Sequence, residues 1–257
     1  MRIATYNING VKARLPRLLE WLEETQPDIA CLQEVKSQDE GFPVEEFERA
    51  GYGAIWHGQK SFNGVAILAK GTQPVEAQRT LPGDPEDEHA RYIEADVFGI
   101  RVASIYLPNG NPLPGPKFDY KLAWMKRLYD RAAELLAAEI PAVLAGDYNV
   151  IPTDADVFSP AAMADDALTQ PESRAAYRRL LYAGWMDAIR ARTPQDAPWT
   201  VSVQKVTNLS SDILTPGEQW YAVKKIQSSQ PIRQLVFMLV VVVLVVVDPL
   251  VEVVGTR

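Results

Sequence analysis

Short apolar runs alternate with longer stretches of helical spacing over most of this 257-residue chain. Residues 2–6 and 29–33 have the length and composition of strands. Between them Leu15, Leu18, Leu19 and Leu22, with Trp21, recur at helical spacing. Residues 52–57 and 64–69 are expected to pair as antiparallel neighbours, and 91–97 with 100–106 as a hairpin around Phe98-Gly99. The stretch 118–138 predicts a long helix with Leu122, Met125, Leu128, Ala132 and Leu135 as its apolar stripe. Pro141 ends that helix and opens a buried strand, and a further helix is expected over 175–183. Mixed strands with helices outside them predict an α/β sandwich.

The chemistry gathers where these strands end. Gly146-Asp147-Tyr148-Asn149 follows the apolar run 141–145, and the glycine is expected to let the backbone turn. In an extended segment, side chains two positions apart point to the same side, so Asp147 and Asn149 would face one ligand. The competing reading is a polar Asx-type turn. Asn7 stands where strand 2–6 gives way to a loop, and Glu34 follows strand 29–33 directly. Ligand sites in layered α/β folds collect at such ends. Asn7, Glu34, Asp147 and Asn149 offer oxygen ligands only, which suits a hard divalent cation such as Mg²⁺ or Mn²⁺ better than zinc.

Five segments occur in a familiar order: 5–10 (TYNING), 33–36 (QEVK), 63–67 (NGVAI), 106–110 (YLPNG) and 146–149 (GDYN). Their spacing resembles the exodeoxyribonuclease III group, the abasic-site endonuclease family of the endonuclease/exonuclease/phosphatase superfamily. The resemblance runs from Met1 to about Thr200. It implies a four-layer α/β sandwich of two mixed sheets and Mg²⁺-dependent hydrolysis of DNA phosphodiesters beside abasic sites and from 3′ ends. Glu34 then becomes the principal Mg²⁺ ligand, with Asn7 near a second metal position or the scissile phosphate. Tyr106 resembles the active-site tyrosine, Asp147 the group that exchanges a proton with the attacking water or leaving oxygen, and Asn149 a donor to the phosphate. Arg91 would steady this network. The implied partner is duplex DNA, met by a monomer.

Beyond residue 200 the pattern breaks. The group carries a catalytic Asp-His pair close to its C-terminus, whereas the two histidines here, His57 and His89, both lie in the first half. Asp212 is a faint match to another acid of the group. Weak or absent turnover is therefore expected. Composition changes at the same place: 29 alanines fall in residues 1–200 and one, Ala222, in the last 57, while valine goes from 10 to 15. Residues 201–257 are read as a divergent tail on a nuclease-like body, 1–200. A reading frame shifted near codon 200 would produce such a change, and the coding DNA tests it. Leu235 to Val247 is an unbroken run of 13 apolar residues. That is short of the roughly 20 needed to span a bilayer and longer than the usual strand of about 5–6. Left uncovered, it is an aggregation hazard, and the second sheet is expected to be incomplete or altered.

A net charge of −7 does not itself suggest nucleic acid, but DNA needs only a local basic surface. Lys12 and Arg14, in the loop after Asn9-Gly10, and Lys117, Lys121, Lys126 and Arg127, along the long helix, are the candidate phosphate contacts. The lone cysteine, Cys31, is read as a core thiol and excludes an internal disulfide, which favours a reducing cytoplasm. No basic segment precedes a long apolar run, so neither a secretory signal nor a membrane partner is expected. A relative acting on a phospholipid or inositol phosphate, and a non-catalytic DNA-binding remnant, are the alternative functions.

Overall fold

The computed structural model describes residues 1–157, 159–192 and 241–246. The chain runs β1 (Ile3–Asn7), α1 (Val11–Thr25), β2 (Ile29–Gln33), α2 (Val44–Arg49), β3 (Tyr52–His57), β4 (Val65–Lys70), β5 (Val75–Gln78), β6 (Tyr92–Val97) and β7 (Ile100–Tyr106). It continues through α3 (Pro116–Ala137), β8 (Ala142–Asp147), α4 (Pro171–Tyr182), β9 (Met186–Asp187), α5 (Ala188–Arg192) and β10 (Val241–Val246). Two mixed sheets form, ordered β1-β2-β4-β3 and β5-β6-β7-β8-β10-β9. The expected β3–β4 and β6–β7 antiparallel pairs are present. β1 runs parallel to β2, and β7 parallel to β8.

Strand alternation sorts the side chains into layers. Ile3, Ile29 and Cys31 from the first sheet meet Val102, Val143 and Ala145 from the second in an apolar core between the sheets. Leu18 and Leu22 of α1 and Phe47 of α2 cover the outer face of the first sheet through Ala30, Leu32 and Leu68. Trp124, Met125 and Leu128 of α3 and Tyr177 and Leu180 of α4 cover the second through Ala103, Ile105 and Leu144. The result is helix, sheet, sheet, helix, the expected four-layer sandwich. Each fully buried leucine removed from water stabilises this arrangement by about 1.5–3 kcal/mol.

One expectation changes. Gly146 does not make a turn: it lies inside β8 opposite Ile105. A Cβ there would fall 2.0 Å from the Ile105 carbonyl oxygen, so close approach of two backbones is what requires glycine. Part of the valine-rich run, whose packing the sequence leaves open, joins the second sheet. Six of its residues make β10, an ordinary strand length, paired antiparallel with β8 from Val241 opposite Asp147 to Val246 opposite Ala142. The second sheet thus includes a strand from the tail, which meets β9 on its other side. The boundary at 200 and Asp212 lie outside the described residues. Among the described residues no helix is long and apolar enough to cross a membrane.

Candidate active site

The inward faces of four strands end at one place. Asn7 on β1, Tyr106 on β7 and Asp147 on β8 each lie two residues beyond an inward-facing position: Thr5, Ser104 and Ala145. Glu34 breaks the alternation, since continued extension of β2 would turn it outward beside Leu32. Its φ of 53° turns the backbone there instead, a left-handed conformation uncommon for a residue with a Cβ. The outcome is direct contact between the sheets. Asn7 Nδ2 donates to Glu34 Oε1 at 2.8 Å and to Asp147 Oδ2 at 2.9 Å, and the Tyr106 hydroxyl donates to Glu34 Oε1 at 2.9 Å.

The strand ends take the Asx-turn form, and the extended geometry expected of Asp147 and Asn149 does not continue past β8. The backbone N–H of Asn149 donates to Asp147 Oδ1 at 3.0 Å, an Asx turn, and Asn9 closes the same turn onto Asn7 Oδ1 at 3.2 Å. Each turn takes up one oxygen of its leading residue and leaves the rest of that side chain to the site. Asn149, with φ of 46°, does not extend the strand. Its Nδ2 donates to the Leu107 carbonyl at 2.8 Å and its Oδ1 accepts from Asn109 at 3.3 Å.

The two acids sit in opposite environments. Burial would raise Glu34, but hydrogen bonds from Asn7 and Lys36, the Lys36 charge and the Tyr106 hydroxyl outweigh it and hold the carboxyl below its ordinary value. Asp147 is 2 % exposed, and burial pushes it up to about 7 despite bonds from Asn7 and Asn149. Tyr106 is raised by burial and by the charges of Glu34 and Asp147, with Arg91 opposing. The Arg91 guanidinium lies 4.8 Å from the Tyr106 ring centre and donates to the Tyr106 carbonyl at 3.3 Å.

Among the described residues no three His, Cys, Asp or Glu side chains gather into a metal-binding group. A cation here would rest on acids supplemented by amide oxygens. Lys36 marks the place: its ammonium lies 2.7 Å from Glu34 Oε2 and 2.5 Å from Asn9 Oδ1. A small positive charge is therefore already stabilised by a carboxylate and a carboxamide. That donor set fits Mg²⁺, which accepts one or two carboxylates and keeps several waters.

The candidate phosphate contacts divide. Lys12 is exposed in the first turn of α1, and Arg14 is half-buried with its guanidinium on the Asn9 carbonyl. Lys117 and Lys126 are exposed, and Arg127 is held by Asp87. Lys121 is not on the open surface. It is fully buried, donating to the carbonyls of Asn109 at 3.0 Å and Asn149 at 2.5 Å. Burial lowers its pKa to about 7, with Asp166 and Asp147 opposing. A Cβ on Gly110 would lie 2.7 Å from Lys121 Cδ, so this glycine leaves room for the lysine stem. His89 is exposed and His57 half-buried. Asn109 and Lys36 also touch the site residues, Asn109 through Asn149 and Lys36 through Glu34. Both stand beside a chosen residue, and adjacency in the motif was the available signal.

Comparison with known proteins decides the ancestry of this arrangement. Residues 4–203 match the Endonuclease/Exonuclease/phosphatase family. The chain belongs to this family. It is 34% identical over 212 residues to exodeoxyribonuclease III of Haemophilus influenzae, covering 76% of each chain. It is 30% identical to the DNA repair nuclease APEX1 of Danio rerio, over 77% of this chain and 64% of that protein. Among solved structures, an AP endonuclease from Archaeoglobus fulgidus superposes with a TM-score of 0.75 at 36% identity, covering 80% of this chain and 79% of its own. A 3′ phosphatase from Neisseria bound to product DNA hairpin gives 0.77 at 28% identity, covering 95% and 85%. The family match ends within a few residues of the compositional break.

Proposed function

We propose that this chain is a DNA-repair nuclease that hydrolyses phosphodiester bonds of duplex DNA at abasic sites and 3′ ends. It would act as a cytoplasmic monomer with Mg²⁺, for which Mn²⁺ substitutes. The observation that carries this reading is the meeting of Asn7 and Glu34 from one sheet with Tyr106 and Asp147 from the other, all linked by hydrogen bonds of 2.8–2.9 Å. Glu34 and the amide oxygens beside it would hold the cation, which when bound offsets negative charge on a phosphoryl oxygen.

The protein's own groups divide the rest. Asp147, at about 7, is poised to accept a proton from the attacking water near neutral pH and return it to the leaving 3′ oxygen. One N–H of the Asn149 carboxamide goes to Leu107, leaving the other to donate to a phosphate oxygen. The Tyr106 hydroxyl gives its one proton to Glu34, so it would donate to a phosphate oxygen only by giving up that bond. Lys12 and Arg14 supply positive charge at the entrance.

Turnover is proposed to be slow, because residues 90–257 contain no histidine. That same absence favours a second reading, a DNA-binding protein without catalysis. An abasic-site duplex incubated with and without Mg²⁺ separates them. Cleavage that needs Mg²⁺ and disappears in Glu34→Ala supports the nuclease. Binding without cleavage supports the second reading. Hydrolysis of a phospholipid or inositol phosphate, with the duplex left intact, would overturn both.

A further inference from the structure

The active site is assembled from two sheets whose shared core is almost wholly apolar. Burial of apolar surface holds such sheets together but is non-directional, so it resists separation more than sideways slip. Catalytic geometry is sensitive to slip: a misplacement of about 1 Å can cost on the order of 10² in rate. Some directional contact must therefore fix the two halves.

One runs through the core directly beneath the site. The Thr5 hydroxyl donates to Gln33 Oε1 at 3.2 Å, Gln33 Nε2 donates to Ser104 Oγ at 3.1 Å, and Ser104 Oγ donates to the Leu32 carbonyl at 3.0 Å. Thr5 and Gln33 belong to adjacent strands of the first sheet, and Ser104 to the second. Gln33 and Ser104 are both 0 % exposed. Gln33 immediately precedes Glu34, Ser104 lies two residues before Tyr106, and Thr5 lies two before Asn7. Every link is thus joined by one or two peptide units to a site residue.

We propose that Gln33 is a positioning residue: its carboxamide clasps the two sheets at the register in which Asn7 and Glu34 reach Tyr106 and Asp147. It touches neither substrate nor cation and acts through the backbone of the strands it joins. This inference deepens the nuclease reading and rests on it for its kinetic effect, but its structural content stands apart. A buried polar link that is fully paired specifies one arrangement of an otherwise permissive core.

The experiment compares Gln33→Met with the triple variant Thr5→Val/Gln33→Met/Ser104→Ala. The single change leaves the buried Thr5 hydroxyl without its acceptor, while Ser104 keeps only its bond to the Leu32 carbonyl, and it lowers Tm. The triple change leaves an apolar core of similar shape and returns Tm toward the wild-type value, since removing all partners together is nearly neutral. In both variants kcat on an abasic-site duplex is expected to fall roughly 10- to 100-fold with KM within about twofold. Crystal structures of both should show the Asn7 Nδ2 to Asp147 Oδ2 contact, 2.9 Å here, opened beyond hydrogen-bond reach. Recovery of kcat together with Tm in the triple variant would assign Gln33 to stability alone and overturn the proposal, as would retention of the 2.9 Å contact in Gln33→Met. If wild-type protein does not cleave the duplex, the nuclease reading fails instead, and the crystallographic contact by itself decides the positioning role.

Discussion

The first sheet brings an acid to the rim of the molecule; the second brings one into its interior. Glu34 retains 18% of its side-chain surface and lies against the Lys36 ammonium; although burial would raise it, its hydrogen bonds and that charge hold its carboxyl below the ordinary value. Asp147 is enclosed and pushed up to about 7. The two are bridged by a single amide, so distance does not separate their behaviour; surroundings do. On the proposed mechanism, one carboxyl would supply a lasting negative charge and the other an exchangeable proton, and their placement in different layers gives each its environment.

The sharpest way to break this contrast is Asp147→Asn, which keeps shape and removes the exchangeable proton. Its kcat on an abasic-site duplex should fall by roughly 10²–10⁴ while DNA binding persists, measured by single-turnover cleavage beside a binding titration. Next in size is Lys121→Met. Two buried carbonyls, of Asn109 and Asn149, lose their donor, and chemical denaturation should register a loss of about 1–3 kcal/mol. The exposed Lys126→Ala on the same helix should stay within about 0.5 kcal/mol.

The pH dependence of Asp147 follows from the direction of its shift. An acid raised in the folded state contributes stability that is complete below its unfolded value and is lost as pH rises through the folded one. Here that window runs from 3.8 to about 7. With EDTA present, the Tm of Asp147→Asn relative to wild type should therefore be more favourable at pH 8 than at pH 5. An equal difference at both pH values would remove the interior-acid half of the comparison. The smallest effect belongs to the rim: Lys12→Ala should leave stability unchanged and reduce the salt dependence of DNA binding by about one unit of slope.

Much of this was legible in the chain. Asn7, Glu34 and Asp147 announced themselves as polar residues directly after apolar strands, and the structure brings them into contact. What spacing cannot show is which strand lies opposite which. Gln33 reads as the last residue of a strand; only the second sheet's Ser104 gives its amide a partner. Lys121 reads as a phosphate contact by residue type, yet it stands at helical spacing from Trp124, Met125 and Leu128, on the buried stripe of α3. The period was there, but residue type outweighed it. Glu34 required a left-handed backbone that strand alternation does not anticipate. The valine-rich run looked too long for any strand, because nothing in a uniform apolar sequence marks where pairing with β8 starts and stops.

Asn7 explains a preference that composition alone would not. Its one NH₂ group faces a carboxylate on each side, so the two sheets are joined there by a neutral donor rather than by a charge. An acid in its place would crowd three negative groups around one point, and the halves of the sandwich would repel each other until a cation arrived. With an amide there the two sheets meet without adding a third charge.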